Sequence, residues 1–248
     1  MKLSVIIITK DAEKEIVDTI FSVKFADEII VVDGGSEDRT VDVAKKEGAK
    51  VFEHPSTDFS NMRNYGLQQA KGEWIFYIDT DERVSPELKE EIQSRIKNQE
   101  SGVAGYKVKR KNFYLRNHEW PYIEQMERLF LRKKIKQWQG NLHETPIING
   151  ELGCLDGFLL HYTHRDLTSM LQKTIVWSDI EATLRLKASH PKMTWWRFPR
   201  VMITAFYDSY IKQKGYKAGT VGVIESLYQS FSMFITYAKL WELQQGIK

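Results

Sequence analysis

The sequence has one cysteine, no long apolar run and little net charge, and each absence excludes a class of protein. Cys154, the lone cysteine, excludes an internal disulfide and a cysteine-based zinc site, and it fits a reducing compartment, where we expect a small packed residue. No stretch reaches the roughly 18–20 apolar residues of a membrane-spanning helix. The net charge of +3 gives no general case for nucleic-acid binding.

The first residues, MKLSVIIITKDAEKE, do not fit a secretory signal peptide. Their apolar run is too short, and Lys10 and Asp11 follow it without a small-residue cleavage site. We therefore expect a cytoplasmic protein. The 248 residues suffice for one large domain, or for one domain with a smaller appendage.

Apolar runs rich in β-branched and aromatic residues alternate with helical segments in the first hundred residues. We predict strands at 3–8, 28–33, 50–54 and 73–79. We predict helices at 12–24, from Ser36 as N-cap to Gly48, at 60–71, and from Ser85 as N-cap with Pro86 as the first helical residue. This alternation indicates an α/β fold, with a mostly parallel sheet covered by helices on both faces.

The second half of the chain has a different pattern. Residues 103–165 predict short strands, antiparallel or mixed, and aromatic-rich helices are predicted near 166–189, 195–213 and 219–245. We therefore expect a larger domain over 1–165, divided into halves at 85/86, and a helical region over 166–248.

Polar residues follow each of the four early strands, at the edge where an α/β sheet binds its ligands. They are Thr9-Lys10-Asp11, Asp33-Gly34-Gly35-Ser36, His54-Pro55 and Asp79-Thr80-Asp81. We expect these side chains to gather at one edge of the sheet.

The stretch WIFYIDTDE, residues 74–82, runs from a buried strand directly into three carboxylates. Like charges this close need a compensating cation, which could be a metal, a basic side chain or the surrounding water. Hard divalent cations take one or two protein carboxylates and complete their shell with phosphates. The alternative is a solvated acidic turn before a helix, and both interpretations stay open at this point.

Three further motifs carry candidate chemistry. In VVDGGSEDRT, residues 31–40, backbone amides at a glycine turn and helix start favour an anion, although an ordinary turn has the same pattern; neither G-x-G-x-x-G nor G-K-[ST] is present. Arg63 in SNMRNYG could pair with a diphosphate or neutralise Asp79. In GNLHETP, His143 and Glu144 form either a polar loop or a site in which the glutamate is a general base.

His161 and His164 in LLHYTH are structural histidines or, with His143, part of a metal site. A lone histidine at the end of an apolar strand is more often structural. Three histidines within about twenty residues, all after a D-x-D sequence, favour the metal interpretation.

Together these motifs resemble the family 2 glycosyltransferases of the GT-A type. The matching segments are SVIIITKD with Glu15, EIIVVDGGSEDRT, FSNMRNYGLQQAKGEWIFYIDTDE and NLHETP. LLHYTHRDL and a helical tail ending YAKLWE narrow the resemblance to the subfamily that adds glucose or a related sugar to lipopolysaccharide inner core or to similar lipid-linked glycans. The first 85 residues carry most of the resemblance.

The resemblance implies a nucleotide-diphosphate sugar donor, a divalent metal (Mn²⁺ or Mg²⁺) and inversion at the anomeric carbon. Residues 1–85 would be the nucleotide-sugar-binding half and 86–165 the acceptor-side half. By motif, the donor would be bound by Thr9, Lys10, Asp33, Gly34, Gly35, Arg63, Asp79 and Thr80. The metal would be bound by Asp81, Asp79 and His161, and Glu144 would be the catalytic base.

Two features refine what the resemblance implies. Many members carry their base in a Glu-Asp pair, where this chain has His143-Glu144. The QxxRW signature of processive polysaccharide synthases is missing, which favours transfer of a single sugar to a lipid-linked saccharide.

Two rival functions remain as alternatives. One is a D-x-D metal-dependent phosphotransferase or phosphohydrolase, although Arg83 occupies the last position of the D-x-D-x-[T/V] pattern of such enzymes. The other is a non-catalytic module that binds nucleotide sugars.

The segment TWWRFPRVMITAFYDSYIKQKGYK, residues 194–217, mixes tryptophans, apolar residues and basic residues with one acid, Asp208. This composition suits peripheral contact of the C-terminal helices with the inner face of a cell membrane. It also suits a helical bundle packed on the catalytic domain, and an aromatic tail of this kind could build a homodimer.

Overall fold

The computed structural model describes residues 1–98, 102–140 and 144–247. They divide into two compact units, the first made of Met1–Lys111 and Glu124–His161 and the second of Asn112–Ile123 and Tyr162–Lys248. The described strands are β1 Leu3–Thr9, β2 Glu28–Asp33, β3 Lys50–Glu53, β4 Trp74–Asp79, β5 Glu82–Val84, β6 Val103–Tyr114, β7 His118–Leu131, β8 Ile135–Gln139, β9 Thr145–Ile148 and β10 Glu151–Tyr162. The described helices are α1 Ile16–Ser22, α2 Thr40–Lys46, α3 Phe59–Gln69, α4 Pro86–Lys97, α5 Leu167–Lys187, α6 Arg197–Tyr207 and α7 Gly219–Gln245.

Eight of the described strands form one mixed sheet in the order β3-β2-β1-β4-β7-β6-β10-β5. The strands β3, β2, β1 and β4 are parallel to one another, whereas β7 pairs antiparallel with β4 and β5 pairs antiparallel with β10. β8 and β9 form a separate two-stranded sheet. The α/β class predicted from the alternation of strands and helices is confirmed.

Successive residues of β1 bury side chains on opposite faces of the sheet, because side chains alternate along a strand. Val5 and Ile7 belong to one core cluster with residues of α1, α2 and α4, and Ile6 and Ile8 belong to another with residues of α3. At Gly66 of α3, a Cβ would lie 2.6 Å from Ile6 Cγ2. A glycine at this position therefore lets α3 lie directly on β1.

Three local expectations are wrong. The helix expected to start after Ser36 begins at Thr40, because residues 34–39 form a turn instead. The strands expected to be short in 103–165 include β6, β7 and β10, which are 12, 14 and 12 residues long. Cys154 is exposed and not packed. By contrast, the Ser85 cap with Pro86 at the start of α4 and the three C-terminal helices are confirmed.

In the second unit, α7 packs against α5 and α6. Small and polar residues mediate much of this packing: the Thr174 and Tyr228 hydroxyls are 2.8 Å apart, and those of Ser209 and Ser226 are 3.0 Å apart. A small apolar core completes it, built from Ala182, Met193, Tyr237 and Leu240. No helix in the described ranges is both long and apolar enough to cross a bilayer.

Candidate active site

The carboxyl ends of the three central parallel strands meet at one edge of the first unit. Thr9 of β1 is in register with Asp33 of β2, and Ile8 of β1 is in register with Asp79 of β4. Lys10, which follows Thr9, is exposed, and Thr80, which follows Asp79, is partly exposed. These predicted site residues therefore lie at one edge, as the strand order requires.

The diglycine turn is closed by the carboxylate that precedes it. Asp33 Oδ2 accepts hydrogen bonds from the Gly35 and Ser36 amides at 3.0 and 2.9 Å, and Asp33 Oδ1 accepts one from Ser36 Oγ at 2.5 Å. Gly35 has φ +91°, a conformation that glycine adopts without strain, and the Gly34 amide donates to the Thr9 carbonyl at 2.8 Å. Asp33 is thus buried and fixed at the base of the turn.

Further carboxylates occupy the amides that follow. Asp11 Oδ1 accepts from the Glu37 amide at 2.8 Å, and Asp38 Oδ1 accepts from the Thr40 amide at 2.9 Å. These amides are therefore already bonded within the chain, as in the ordinary turn that the sequence left open beside an anion site.

Thr9 contributes a polar atom at the same edge. Its hydroxyl oxygen is buried and has no hydrogen-bond partner within residues 1–98, 102–140 and 144–247. A buried hydroxyl without a partner costs free energy, and a bound ligand could satisfy it. Thr9 therefore remains suited to contact with a polar ligand beside Asp33.

Arg63 of α3 joins two of the predicted site residues. Its Nη2 donates to Asp79 Oδ1 at 2.7 Å, and its Nε donates to Glu144 Oε1 at 3.0 Å. The guanidinium lies 5.0 Å from the centre of the Trp138 ring, and its Nη1 is buried with no hydrogen-bond partner in the part of the chain that the structure describes. The structure thus brings the acidic turn and Glu144 together on one arginine.

A second buried arginine holds the other side of the acidic turn. Arg128 Nη2 donates to Asp79 Oδ2 at 2.8 Å and to Glu82 Oε1 at 3.0 Å. Burial disfavours the charged form of Asp79, but Arg128 and Arg63 outweigh it and hold the pKa of Asp79 far below its usual value. Burial also opposes the charge on Arg128, yet Asp79 and Glu82 raise its pKa above the usual value.

Glu82 is fully buried and is shared by three groups. Its Oε2 accepts from the Asp79 amide at 3.0 Å, and its Oε1 accepts from Arg110 Nη1 at 3.1 Å as well as from Arg128. Arg110 in turn donates from Nε to Glu124 Oε2 at 2.8 Å. The compensating cations for two of the three clustered carboxylates, Asp79 and Glu82, are therefore arginine side chains.

The third carboxylate, Asp81, pairs with a histidine. His161 Nε2 lies 3.2 Å from Asp81 Oδ2, because β10 pairs with β5 and sets His161 in register with Glu82. Both side chains are partly exposed. A carboxylate and an imidazole are donors that Mn²⁺ accepts, and phosphate oxygens and water usually complete the shell of such an ion.

The donor set for a metal differs from the predicted one. Among residues 1–98, 102–140 and 144–247, no three His, Cys, Asp or Glu side chains converge on a point where they could hold a metal. Both oxygens of Asp79 lie on guanidinium groups, so the fit rests on Asp81 and His161, with the remaining ligands coming from the substrate.

Arg83 fastens the acidic turn to the neighbouring helix. Its Nη1 donates to the Thr80 carbonyl at 2.9 Å and to Thr19 Oγ1 at 2.6 Å, and its Nη2 donates to the Glu15 carbonyl at 2.9 Å. Burial lowers the pKa of Arg83. The backbone that carries Asp81 is therefore tied to α1.

Helix α3 borders both the diglycine turn and Glu144. A Cβ on Gly34 would lie 3.1 Å from Met62 Cε, and the next residue, Arg63, reaches Glu144. Asn64 Nδ2 also donates to the Trp138 carbonyl at 2.9 Å, and Asn64 Oδ1 accepts from the Trp138 amide at 2.7 Å. One helix thus links the predicted nucleotide side to the predicted base. His143 lies outside the described residues.

A cavity of about 580 Å³ lies at the other end of β4, and it contains none of the predicted site residues. It is lined by Leu67, Gln68, Lys71, Gly72, Glu73, Leu131, Arg132, Lys133 and Ile135. Gly72 and Glu73 precede β4, whereas ligands of α/β sheets bind beyond the carboxyl ends of strands. The candidate active site is therefore the edge that carries Asp33, Asp79 and Glu144.

Comparison with known families decides the class. The model of glycosyl transferase family 2 matches residues 4–148, more than half of the chain. The chain is a family 2 glycosyltransferase. The match covers every predicted site residue except His161, and the resemblance predicted from the motifs is confirmed, as is the enzyme class.

Relatives of this glycosyltransferase extend over nearly its whole length. An uncharacterised glycosyltransferase of Rickettsia typhi is 29% identical over 258 aligned positions, covering 98% of this chain and 87% of the relative. The lipopolysaccharide core biosynthesis glycosyltransferase LpsC of Rhizobium meliloti is 24% identical, covering 98% and 93%. Among solved structures, glucosyl-3-phosphoglycerate synthase of Mycobacterium tuberculosis, in complex with Mn²⁺, UDP and glucosyl-3-phosphoglycerate, is similar with a TM-score of 0.37 and 23% identity, covering 46% of this chain and 44% of that one.

The candidate site contains two residues that the sequence patterns did not single out, Arg110 and Arg128, and it buries Glu82, the third carboxylate of the acidic turn, which was not predicted as a site residue. Each lies on a strand and is buried or nearly so, where a charged residue requires a partner. Arg128 directly precedes the buried run Leu129–Leu131. An arginine next to such an apolar run is the sequence feature that could have indicated a buried, paired cation. Its partner depends on the pairing of β7 with β4, which the sequence does not specify.

We expect replacement of Arg128 by methionine to destabilise the glycosyltransferase. The change leaves Asp79 and Glu82 with one buried cation fewer, and breaking a buried pair costs about 3–5 kcal/mol. Urea unfolding followed by circular dichroism measures the difference. The control is Arg132→Met at an exposed position, expected within about 0.5 kcal/mol of the wild type. Equal free energies of unfolding for the two variants would contradict a stabilising role for the buried ion pairs of Arg128.

Proposed function

We propose that this enzyme moves a single sugar, with inversion, from a nucleotide-diphosphate sugar to a hydroxyl of a lipid-linked glycan such as lipopolysaccharide core. The observation that carries the proposal is the double contact of Arg63 with Asp79 and Glu144, which connects a candidate leaving-group site to a candidate base. Membership of family 2 and the similarity to a lipopolysaccharide core glycosyltransferase support it.

The nucleoside would lie on the edge formed by Thr9, Lys10, Asp33 and the diglycine turn. Asp33 is held by its own turn, so its remaining acceptor capacity has a fixed direction. The unpartnered Thr9 hydroxyl offers a donor or acceptor beside it. Gly34 and Gly35 would let the nucleotide approach the backbone closely.

The diphosphate would lie between the acidic turn and Arg63. Asp81 and His161 would hold Mn²⁺ or Mg²⁺, which supplies Lewis-acid stabilisation of the charge on the departing diphosphate. Arg63 Nη1 is buried without a hydrogen-bond partner among the described residues, and it would donate to a phosphate oxygen. Asp79 and Thr80 would position Arg63 and the turn, and Asp79 would contact the ribose.

Glu144 would accept the proton of the attacking hydroxyl. Its carboxylate is largely buried, and Arg63 fixes one of its oxygens, which leaves the other for the acceptor. The acceptor hydroxyl attacks from the face opposite the leaving group, so the anomeric configuration inverts. One sugar is transferred in each reaction.

The acceptor would be presented at a membrane surface. This keeps the expectation of a cytoplasmic enzyme that meets its lipid-linked substrate at the inner face of the cell membrane. The phosphohydrolase pattern requires Thr or Val where this chain has Arg83. Arg83 donates a hydrogen bond to the Thr80 carbonyl of the acidic turn.

We expect one class of nucleotide sugar to stabilise the protein only when Mn²⁺ or Mg²⁺ is present. A thermal-shift screen with and without EDTA measures this, and a ligand at about 100 times its Kd adds about 2.7 kcal/mol. Proton NMR of the product from that donor and a lipid-linked saccharide then gives the anomeric configuration. Retention, or binding that ignores the metal, would contradict the proposal.

A further inference from the structure

Large apolar side chains are exposed almost entirely in the second unit. Among the described residues, all but Met1, Val17 and Phe21 of the exposed large hydrophobic side chains belong to it. Single exposed apolar residues are ordinary, whereas a concentration of them marks an interaction surface. The second unit therefore carries a surface that its own packing does not cover.

The clearest part of this surface is one side of α6 and its continuation. Trp196, Ile203, Tyr207 and Ile211 are spaced by seven, four and four residues, which sets them on one face of a helical segment. Trp195 precedes them and is 82% exposed, and Ile203 is 68% exposed. We call these five residues the α6 face.

The opposite side of α6 is occupied by α7. The Phe198 and Phe234 ring centres are 5.8 Å apart, and Ser230 Oγ donates to the Met202 carbonyl at 2.9 Å. No residue of α6 is fully buried, although the helix is strongly amphipathic in sequence. The α6 face thus points away from the packing partner of the helix within its unit.

Positive charge surrounds the α6 face. From Lys192 to Lys217, both included, the sequence has six basic residues and one acid, Asp208, whose Oδ1 lies 2.6 Å from Lys212 Nζ. The guanidinium groups of Arg197 and Arg200 lie 5.1 and 5.8 Å from the centre of the Trp196 ring. Apolar, aromatic and cationic groups are therefore combined on one exposed segment.

We propose that the α6 face docks on an anionic lipid bilayer, with its aromatic rings at headgroup level and the surrounding cations on lipid phosphates. Tryptophan and tyrosine favour the membrane interface, and basic residues beside an amphipathic helix add attraction to anionic lipid. A second copy of the chain is a poorer partner, because a symmetric contact would set the six cations opposite the same six. The inference deepens the proposed function, since a lipid-linked acceptor lies in such a bilayer.

The test is co-sedimentation of the full chain with vesicles that contain no glycolipid. The vesicles are phosphatidylcholine alone or phosphatidylcholine with 30 mol% phosphatidylglycerol, at about 50 and 500 mM salt. We expect binding to the anionic vesicles at low salt, little binding to the neutral ones, and release at high salt. Because neither donor nor acceptor is present, the result does not depend on sugar transfer.

Variants connect any binding to the α6 face. Joint replacement Trp195→Ala, Trp196→Ala and Ile203→Ala is expected to weaken vesicle binding at least tenfold, and Arg200→Glu to weaken it more than about fivefold, the factor for losing one basic residue near the surface. Phe21→Ala, at an exposed aromatic of the first unit, is the matched control and should bind as the wild type does. Circular dichroism checks that each variant is folded.

Three results would overturn the inference. The first is the absence of binding to anionic vesicles at low salt, and the second is full binding by the folded triple variant. The third is a stable dimer in sedimentation equilibrium that the triple variant dissociates, which would make the α6 face a contact between copies. If the protein does not bind anionic vesicles but binds its nucleotide-sugar donor normally in the thermal-shift screen, the proposed transfer reaction still stands.

Discussion

Replacement of Glu144 by glutamine is expected to lower kcat for sugar transfer by about 10²–10⁴-fold, the usual contribution of a general base. Glutamine keeps the size of the side chain and an oxygen that can accept the hydrogen bond of Arg63, so the fold should persist. The donor KM should change little, because the lost function is proton removal in the transition state. Initial rates at saturating donor and acceptor measure the effect.

A positioning role for Glu144 would have a different signature. If the carboxylate only held Arg63, the variant would raise the donor KM and keep the acidic limb of the kcat–pH profile. Glu124→Gln is a suitable control, because Glu124 belongs to the same arginine network through Arg110 but does not contact Arg63 in the described contacts. Wild-type turnover by folded Glu144→Gln would remove Glu144 from the mechanism.

Replacement of Asp81 by asparagine is expected to reduce transfer about 10³-fold and to raise the Mn²⁺ concentration that activates the enzyme. Metal stabilisation of a leaving group contributes several kcal/mol, and each 1.36 kcal/mol is a factor of ten in rate. The fold should tolerate the change, because Asp81 is partly exposed and the turn is held by Arg83, Arg128 and Arg63. Transfer rates titrated against Mn²⁺ measure both quantities.

Asp18→Asn provides the matched control for Asp81. Asp18 is an exposed aspartate on α1 whose Oδ2 lies 3.6 Å from Arg83, so it shares the charge environment of the turn without lying beside His161. We expect its metal dependence to equal that of the wild type. Full activity of folded Asp81→Asn at the wild-type Mn²⁺ optimum would contradict a metal on Asp81.

The parallel half of the sheet could be predicted from the sequence because its strands are buried on both faces. In β4 the residues from Trp74 to Ile78 are all buried, and this continuous apolar run is typical of a strand covered on both faces. A strand with one solvated face would alternate apolar and polar residues instead. The edge that collects Thr9, Asp33 and Asp79 follows from that prediction alone, since parallel strands end together.

The partners of the acidic turn could not be predicted in the same way. Glu82 is only one residue from Asp81, yet it is fully buried on arginines from β6 and β7, 28 and 46 residues further along the chain. Those contacts depend on the strand order β4-β7-β6, which is a property of the whole sheet. The sequence showed three like charges, and only the structure separates two that arginines neutralise from one beside His161.

The turn after β2 shows a different limit. Ser36 matched an N-cap, but its hydroxyl donates to Asp33 instead and the helix begins at Thr40. A serine three residues after an aspartate can cap a helix or bond to that carboxylate, and local sequence does not decide between the two. The predicted position of Asp33 does not depend on this error, because it depends on where β2 ends and not on where α2 begins.

The proposed mechanism is tested most directly by the position of Mn²⁺ in crystals grown with Mn²⁺ and the nucleotide diphosphate that stabilises the protein most. Anomalous diffraction at the manganese edge locates the ion without reference to activity. We expect one strong peak within coordination distance of Asp81 and His161, with the diphosphate between that peak and Arg63. A manganese peak bound elsewhere while this pair stays free of metal, or a diphosphate remote from Arg63, would contradict the mechanism.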